Sequence, residues 1–119
     1  VTMSYPMLWE CKSANSKKFN EFVRKGVAAA NPTYAGQIAL YQAYMDLNEN
    51  PALFTVLNKD TSEIYYELVP FDRELAQKIS DKGVEILKAT KANEMLPRVA
   101  VNSDYFTCKY CEFRQTCWS

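Results

Sequence analysis

The feature that most limits the fold is a change of hydrophobic period near residue 15. Upstream of it, residues 3–12 (MSYPMLWECK) read as a strand, with Pro6 near its start, where a missing N–H does least harm. Ser13 to Asn15 form a polar break. From Ser16 to about Ala30, Phe19, Phe22, Val23, Val27 and Ala30 recur at spacings of three and four, the helical signature. Asn31-Pro32 ends that helix. Thr33 is a candidate cap for a second one, with Tyr34, Ile38, Tyr41 and Met45 along one stripe and Gln37 and Tyr44 beside it. Asn48-Glu49-Asn50-Pro51 stops it. Leu53–Leu57 and Glu63–Val69, rich in Phe, Val, Ile and Tyr, flank the turn residues 58–62 and predict a hairpin. Asp72 then caps a helix of about 18 residues with Leu75, Ile79, Ile86 and Leu87 as its apolar stripe.

After Pro97 the periodicity is lost and the chain ends in a cysteine-rich tail. No repeat, low-complexity tract or long linker interrupts this order. The expectation is one α/β-type domain over residues 1–119, with an αβ core at 1–97 and a tail at 98–119. With 119 residues, 48% apolar and 24% charged, the chain reads as globular with a single core. No apolar run reaches the length of a membrane span, and no basic segment followed by an apolar run opens the sequence. The expected location is cytoplasmic, with no membrane partner.

Two properties bound the chemistry. Histidine is absent, which removes Ser-His and Cys-His nucleophiles and every His-ligated metal site. The net charge is zero but unevenly spread: five Lys/Arg against two acids in residues 1–45, two against seven in 46–74, and seven against five in 75–119. Overall basicity does not mark a nucleic-acid binder. A local patch of Lys12, Lys17, Lys18, Arg24 and Lys25 is either a phosphate-contacting surface or a set of solvated helix lysines.

The strand carries Glu10-Cys11-Lys12. Side chains alternate along a strand, so Glu10 and Lys12 share one face and Cys11 takes the other. Burying an acid and a base costs several kcal/mol unless both meet partners. A divalent cation is one solution: Glu10 ligates Mg²⁺ while Lys12 steers a water or neutralises a phosphate. The plainer alternative is two solvated charges at a strand end. On the second helix Gln37 and Tyr41 lie one turn apart on the same side, which equally suits a Tyr in the core stripe with a Gln at its margin. In the tail, Cys108, Cys111 and Cys117 form C-x₂-C-x₅-C. A C-x₂-C pair commonly clips a metal, zinc or an iron–sulfur cluster, and free thiols are the alternative.

Taken together, PMLWECKSANSKKFNEFVRKGV, NPTYAGQIALYQAYM and CKYCEFRQTCW resemble the RecB-like branch of the PD-(D/E)xK nucleases, with the phage-type exonucleases as the nearest look. The resemblance implies a restriction-endonuclease-like α/β core, a mixed sheet flanked by helices, and Mg²⁺- or Mn²⁺-dependent cleavage of DNA. Glu10 and Lys12 match the metal ligand and catalytic lysine. The backbone carbonyl of Cys11 matches a peptide oxygen of the metal shell, and Gln37 and Tyr41 match the Q-x-x-x-Y pair that contacts DNA or orients the site. Some relatives hold a [4Fe–4S] cluster with three cysteines in this C-terminal spacing and a fourth far upstream. One departure matters: the family has an aspartate ten or more residues before the E-x-K, whereas nine residues precede Glu10 and none is acidic. The expectation is the C-terminal part of a longer nuclease lacking its N-terminal elements. The alternatives are a non-cutting remnant that binds DNA or protein, or an acid supplied by Asp60 or Asp72. A sheet edge left open in this way would favour homo-oligomers.

Overall fold

The structure, a computed structural model, describes residues 2–119. It divides into two compact units, one ending at Val84 and the other formed by Glu85–Ser119. The division falls inside a helix rather than at the expected core–tail boundary. No helix among the described residues is long and apolar enough to cross a membrane.

The first unit is built on a mixed sheet of three strands in the order β1-β2-β3: β1 (Trp9–Ala14), β2 (Ala52–Asn58) and β3 (Ile64–Val69). β1 and β2 are parallel, with Glu10 beside Phe54 and Lys12 beside Val56. Parallel neighbours need a long crossover, supplied here by α1 (Ser16–Lys25), α2 (Val27–Ala30) and α3 (Pro32–Tyr44). β2 and β3 form the expected antiparallel hairpin. Its turn closes through Ser62 N–H to the Asn58 carbonyl at 2.7 Å and Asp60 N–H to the Asn58 side chain at 3.0 Å.

One face of the sheet is covered by helices and forms the core. Phe54 and Val56 are fully buried there, and Phe19 and Phe22 of α1, Val27 of α2 and Ile38 of α3 pack against them. Burying side chains of this size contributes about 2 kcal/mol each before the entropy of ordering them. The other face carries Trp9, Cys11, Leu57, Ile64 and Tyr66, all exposed. Period-two alternation on β1 and β2 is therefore the signature of a one-sided sheet. Alternation puts the large aromatic side chains of Trp9 and Tyr66 outside, while Phe54 and the half-buried Tyr65 face the core.

Several local expectations shift. The strand begins at Trp9, not residue 3, and runs through Ser13 and Ala14, because its hydrogen bonds follow β2 rather than its own apolar run. The helix expected over 16–30 breaks at Gly26, whose φ of +79° suits glycine. A second turn, α2, then starts under the carboxylate of Glu67, which accepts from Val27 N–H at 2.6 Å. α3 is capped by Asn31, which accepts from Tyr34 N–H, with Pro32 in the first turn; Thr33 already lies inside the helix. The buried face of α3 is Ala35, Ile38, Ala39 and Gln42, so Tyr41 and Met45 of the expected stripe are exposed.

α4 (Arg73–Lys91) is capped by Asp72 as expected, through Leu75 N–H to its carboxylate at 3.0 Å. In the first unit its N-terminal half packs on α3: a Cβ on Gly36 would overlap the Cδ1 of Ile79, and Tyr44 hydrogen-bonds Ser80 at 2.7 Å. Ile86 and Leu87, expected in the same stripe, are exposed. The second unit holds the end of α4 and two short helices, α5 (Phe106–Lys109) and α6 (Arg114–Trp118). Arg98 secures α6, donating twice to the Cys117 carbonyl at 2.9 and 2.7 Å and lying 4.7 Å over the Trp118 ring.

Candidate active site

Glu10 and Lys12 sit mid-strand on β1, on the helix-covered face of the sheet. Trp9, Cys11 and Ser13 take the outer face, as strand alternation requires. The two charges meet: Lys12 Nζ lies 3.2 Å from Glu10 Oε1, and their side chains keep 21% and 16% of their surface. The pair is neither free in water nor sealed from it.

α3 crosses this face and adds the other two expected residues. Lys12 Nζ donates to Gln37 Oε1 at 2.9 Å, and Gln37 Nε2 donates to Tyr41 Oη at 3.1 Å. A continuous chain, Glu10–Lys12–Gln37–Tyr41, thus joins residues far apart in sequence. Each group bonds in its natural sense: the carboxylate and amide oxygen accept from the ammonium, and the amide nitrogen donates to the phenol. Tyr41, 39% exposed, opens the chain to solvent.

Tyr34, in sequence only one member of a helical stripe, completes the group. Its ring centroid lies 4.6 Å from Lys12 Nζ, within cation–π range. The signal that could have found it is its spacing: Tyr34, Gln37 and Tyr41 stand at i, i+3 and i+7, one side of a helix. Tyr34 stacks in parallel on Phe22, with centroids 6.1 Å apart, and Phe22 tilts onto Phe54 at 5.4 Å.

The backbone of Cys11 is also placed usefully. Leu53 N–H donates to the Leu8 carbonyl and Lys59 N–H to the Ala14 carbonyl, so even-numbered residues of β1 turn their backbone groups toward β2. In a parallel ladder the odd ones face the other way. The Cys11 carbonyl therefore points to the edge of β1 that no described strand covers, free to accept or to ligate.

Neither Asp60 nor Asp72 is drawn toward Glu10. Asp60 Oδ2 accepts Ser16 N–H at 2.8 Å, joining Asn15 in capping α1 at the far end of β1. Asp72 caps α4. A fourth carboxylate, Glu67, shares the sheet face with Glu10 but lies two strands away, with buried Phe54 between them in register. It accepts from Val27 N–H and from Tyr65 Oη at 3.2 Å. Burial first, then the charge of Glu67 and this hydrogen bond, push the Tyr65 phenol up from 10.0 to about 12.

Of the expected basic patch, Lys17, Lys18, Arg24 and Lys25 are exposed on α1, with Lys18 3.7 Å from Glu21, whereas Lys12 turns to the inner face. In the tail, Cys111 N–H bonds the Cys108 carbonyl at 3.1 Å. Cys108 and Cys117 are half-buried and Cys111 is exposed, all as free thiols. Among the described residues no three Cys, Asp or Glu side chains gather in a group that could hold a metal ion. Trp118, beside Cys117, packs under Arg98. Compared with protein-family models, curated proteins and solved structures, the chain has no match.

Proposed function

We propose that this chain is a metal-dependent deoxyribonuclease of the RecB-like PD-(D/E)xK type, or part of one, cleaving DNA phosphodiester bonds in an exonuclease or recombination role. The observation that carries the reading is the contact chain Glu10–Lys12–Gln37–Tyr41. Four residues singled out by the family's E-x-K and Q-x-x-x-Y motifs converge on one face of the sheet.

The Glu10 carboxylate and the edge carbonyl of Cys11, both hard oxygen donors, would hold Mg²⁺ or Mn²⁺. When bound, such an ion supplies Lewis-acid stabilisation of a phosphate oxygen. The chain's own residues do the remainder. Lys12, beside Glu10 and held by Gln37, would present its ammonium to the charge developing on the phosphate. Gln37 fixes where that ammonium stands, and Tyr41, at the solvent end, meets the substrate strand. Cys108, Cys111 and Cys117 belong to the same proposal as three ligands of a [4Fe–4S] cluster, with zinc as the other metal. They are not gathered as a ligand set, and no step is assigned to them.

The alternative, a non-catalytic module of the same fold that binds DNA or protein, is favoured by one observation. Asp60 and Asp72, the two acids named as candidates to complete a two-carboxylate site, are both committed to helix caps. Mn²⁺ titration followed by electron paramagnetic resonance, with end-labelled duplex and single-stranded DNA assayed alongside, separates the readings. Saturable Mn²⁺ binding lost in Glu10→Gln, with metal-dependent cleavage lost in Lys12→Met, supports the nuclease. DNA retention without Mn²⁺ binding or cleavage supports the module.

A further inference from the structure

We infer that Tyr34 is a positioning residue for Lys12, holding the ammonium over its ring face so that the cation stays between Glu10 and Gln37. A lysine ammonium is ordinarily a mobile, strongly hydrated charge on a four-carbon stem with three donors. Here one side meets Glu10 at 3.2 Å, a second meets Gln37 Oε1 at 2.9 Å, and a third faces the Tyr34 ring at 4.6 Å. The first two partners are polar and could equally follow the ammonium outward into water. The ring cannot: it is held in its stack on Phe22, and its attraction for the ammonium acts only while the cation stays over its face.

The ring itself is fixed from below. Tyr34 lies parallel to Phe22 at an interplanar angle of 6°, and Phe22, 4% exposed, leans on the fully buried Phe54. Phe54 is the register partner of Glu10 on β2. The three rings tie the ammonium's position to the same sheet that carries the carboxylate. Asn31 adds a second restraint, accepting Tyr34 N–H at 3.1 Å and so fixing the turn that aims the ring.

The geometry of this inference stands by itself, while its catalytic meaning rests on the nuclease reading. The test therefore starts without metal or DNA. In the full chain, nitrogen-15 spectra follow water exchange of the Lys12 ammonium protons, assigned by their loss in Lys12→Arg, and carbon spectra follow the ring-current shift of its ε-methylene. Tyr34→Leu is expected to abolish the ring-current shift and speed exchange about fivefold, the equivalent of about 1 kcal/mol of cation–π attraction. Tyr34→Phe, which keeps the ring and loses only the hydroxyl, should stay within about twofold of the parent. Should Tyr34→Leu fail to fold, Tyr34→Met refills the volume with a flexible chain and carries the same expectation. Exchange and shift unchanged in Tyr34→Leu or Tyr34→Met overturn the inference, as does a Tyr34→Phe variant as fast as either. Mn²⁺ binding is measured afterwards on the same samples. Its absence in the parent sinks the nuclease reading and leaves the Tyr34 result intact.

Discussion

The Glu10–Lys12 pair can be weighed by a double-mutant cycle with Glu10→Gln and Lys12→Met, each of which removes one charge and keeps an unbranched stem of similar volume. At 3.2 Å, two unit charges attract by about 5 kcal/mol at an effective dielectric of about 20 and by about 1.3 kcal/mol in bulk water. The side chains keep 21% and 16% of their surface, so the pair lies between these limits, and desolvation offsets much of the larger figure. The expected coupling is about 1–2 kcal/mol, above that of an ordinary surface pair. Lys12→Met alone should cost more than Glu10→Gln alone. It leaves a carboxylate without its counter-charge and Gln37 Oε1 without its donor, whereas the ammonium left by Glu10→Gln still has Gln37 and Tyr34. Urea unfolding in a Trp118→Phe background, followed by Trp9 on the outer face of the same strand, measures all four corners. The coupling should fall by about half between roughly 0.05 and 0.5 M KCl, since partial exposure leaves it open to screening. A coupling below about 0.3 kcal/mol, within the scatter of independent sites, would refute the claim that these charges act as a unit.

Two further outcomes follow from the acids that the site leaves out. Tyr65 has its folded pKa raised above the unfolded value, so its contribution to stability is complete below pH 10.0 and is lost as pH rises toward about 12. Glu67→Gln should narrow that alkaline loss without abolishing it, because burial is the larger cause and remains. Ultraviolet titration of the phenolate against Tyr65→Phe reads this directly, and an ordinary ionisation near 10.0 in the parent would contradict it. Asp60→Ala removes the acceptor of Ser16 N–H and should destabilise the first unit by about 1 kcal/mol. Mn²⁺ affinity at Glu10 should be left within about twofold; a larger drop would return Asp60 to the metal site.

Much of the candidate site is legible in the sequence, for a definite reason. Strand alternation alone put Glu10 and Lys12 on one face and Cys11 on the other, and helical spacing alone put Gln37 with Tyr41. Those are local, periodic consequences of backbone geometry. The hairpin at 52–69 and the Asp72 cap were legible for the same reason, since turn and cap chemistry act over three or four residues. Gly26 was not read as a break, although its positive φ splits the expected helix. A lone glycine inside a periodic stretch signals little until the next strand supplies Glu67 to the new helix start.

What only the tertiary structure decided is which of those local faces meet. Nothing in the spacing of residues 10–12 says that they lie opposite residues 34–41. The parallel pairing of β1 with β2 and the crossover of α3 over the sheet bring them together, and that pairing depends on contacts between distant segments. The same long-range packing turned Tyr34 from a stripe residue into the aromatic floor of the Lys12 site, spent Asp60 on a helix cap and sent Trp9 and Tyr66 to the open face of the sheet. Period determined the direction in which each side chain points; the order and orientation of the strands decided what it points at.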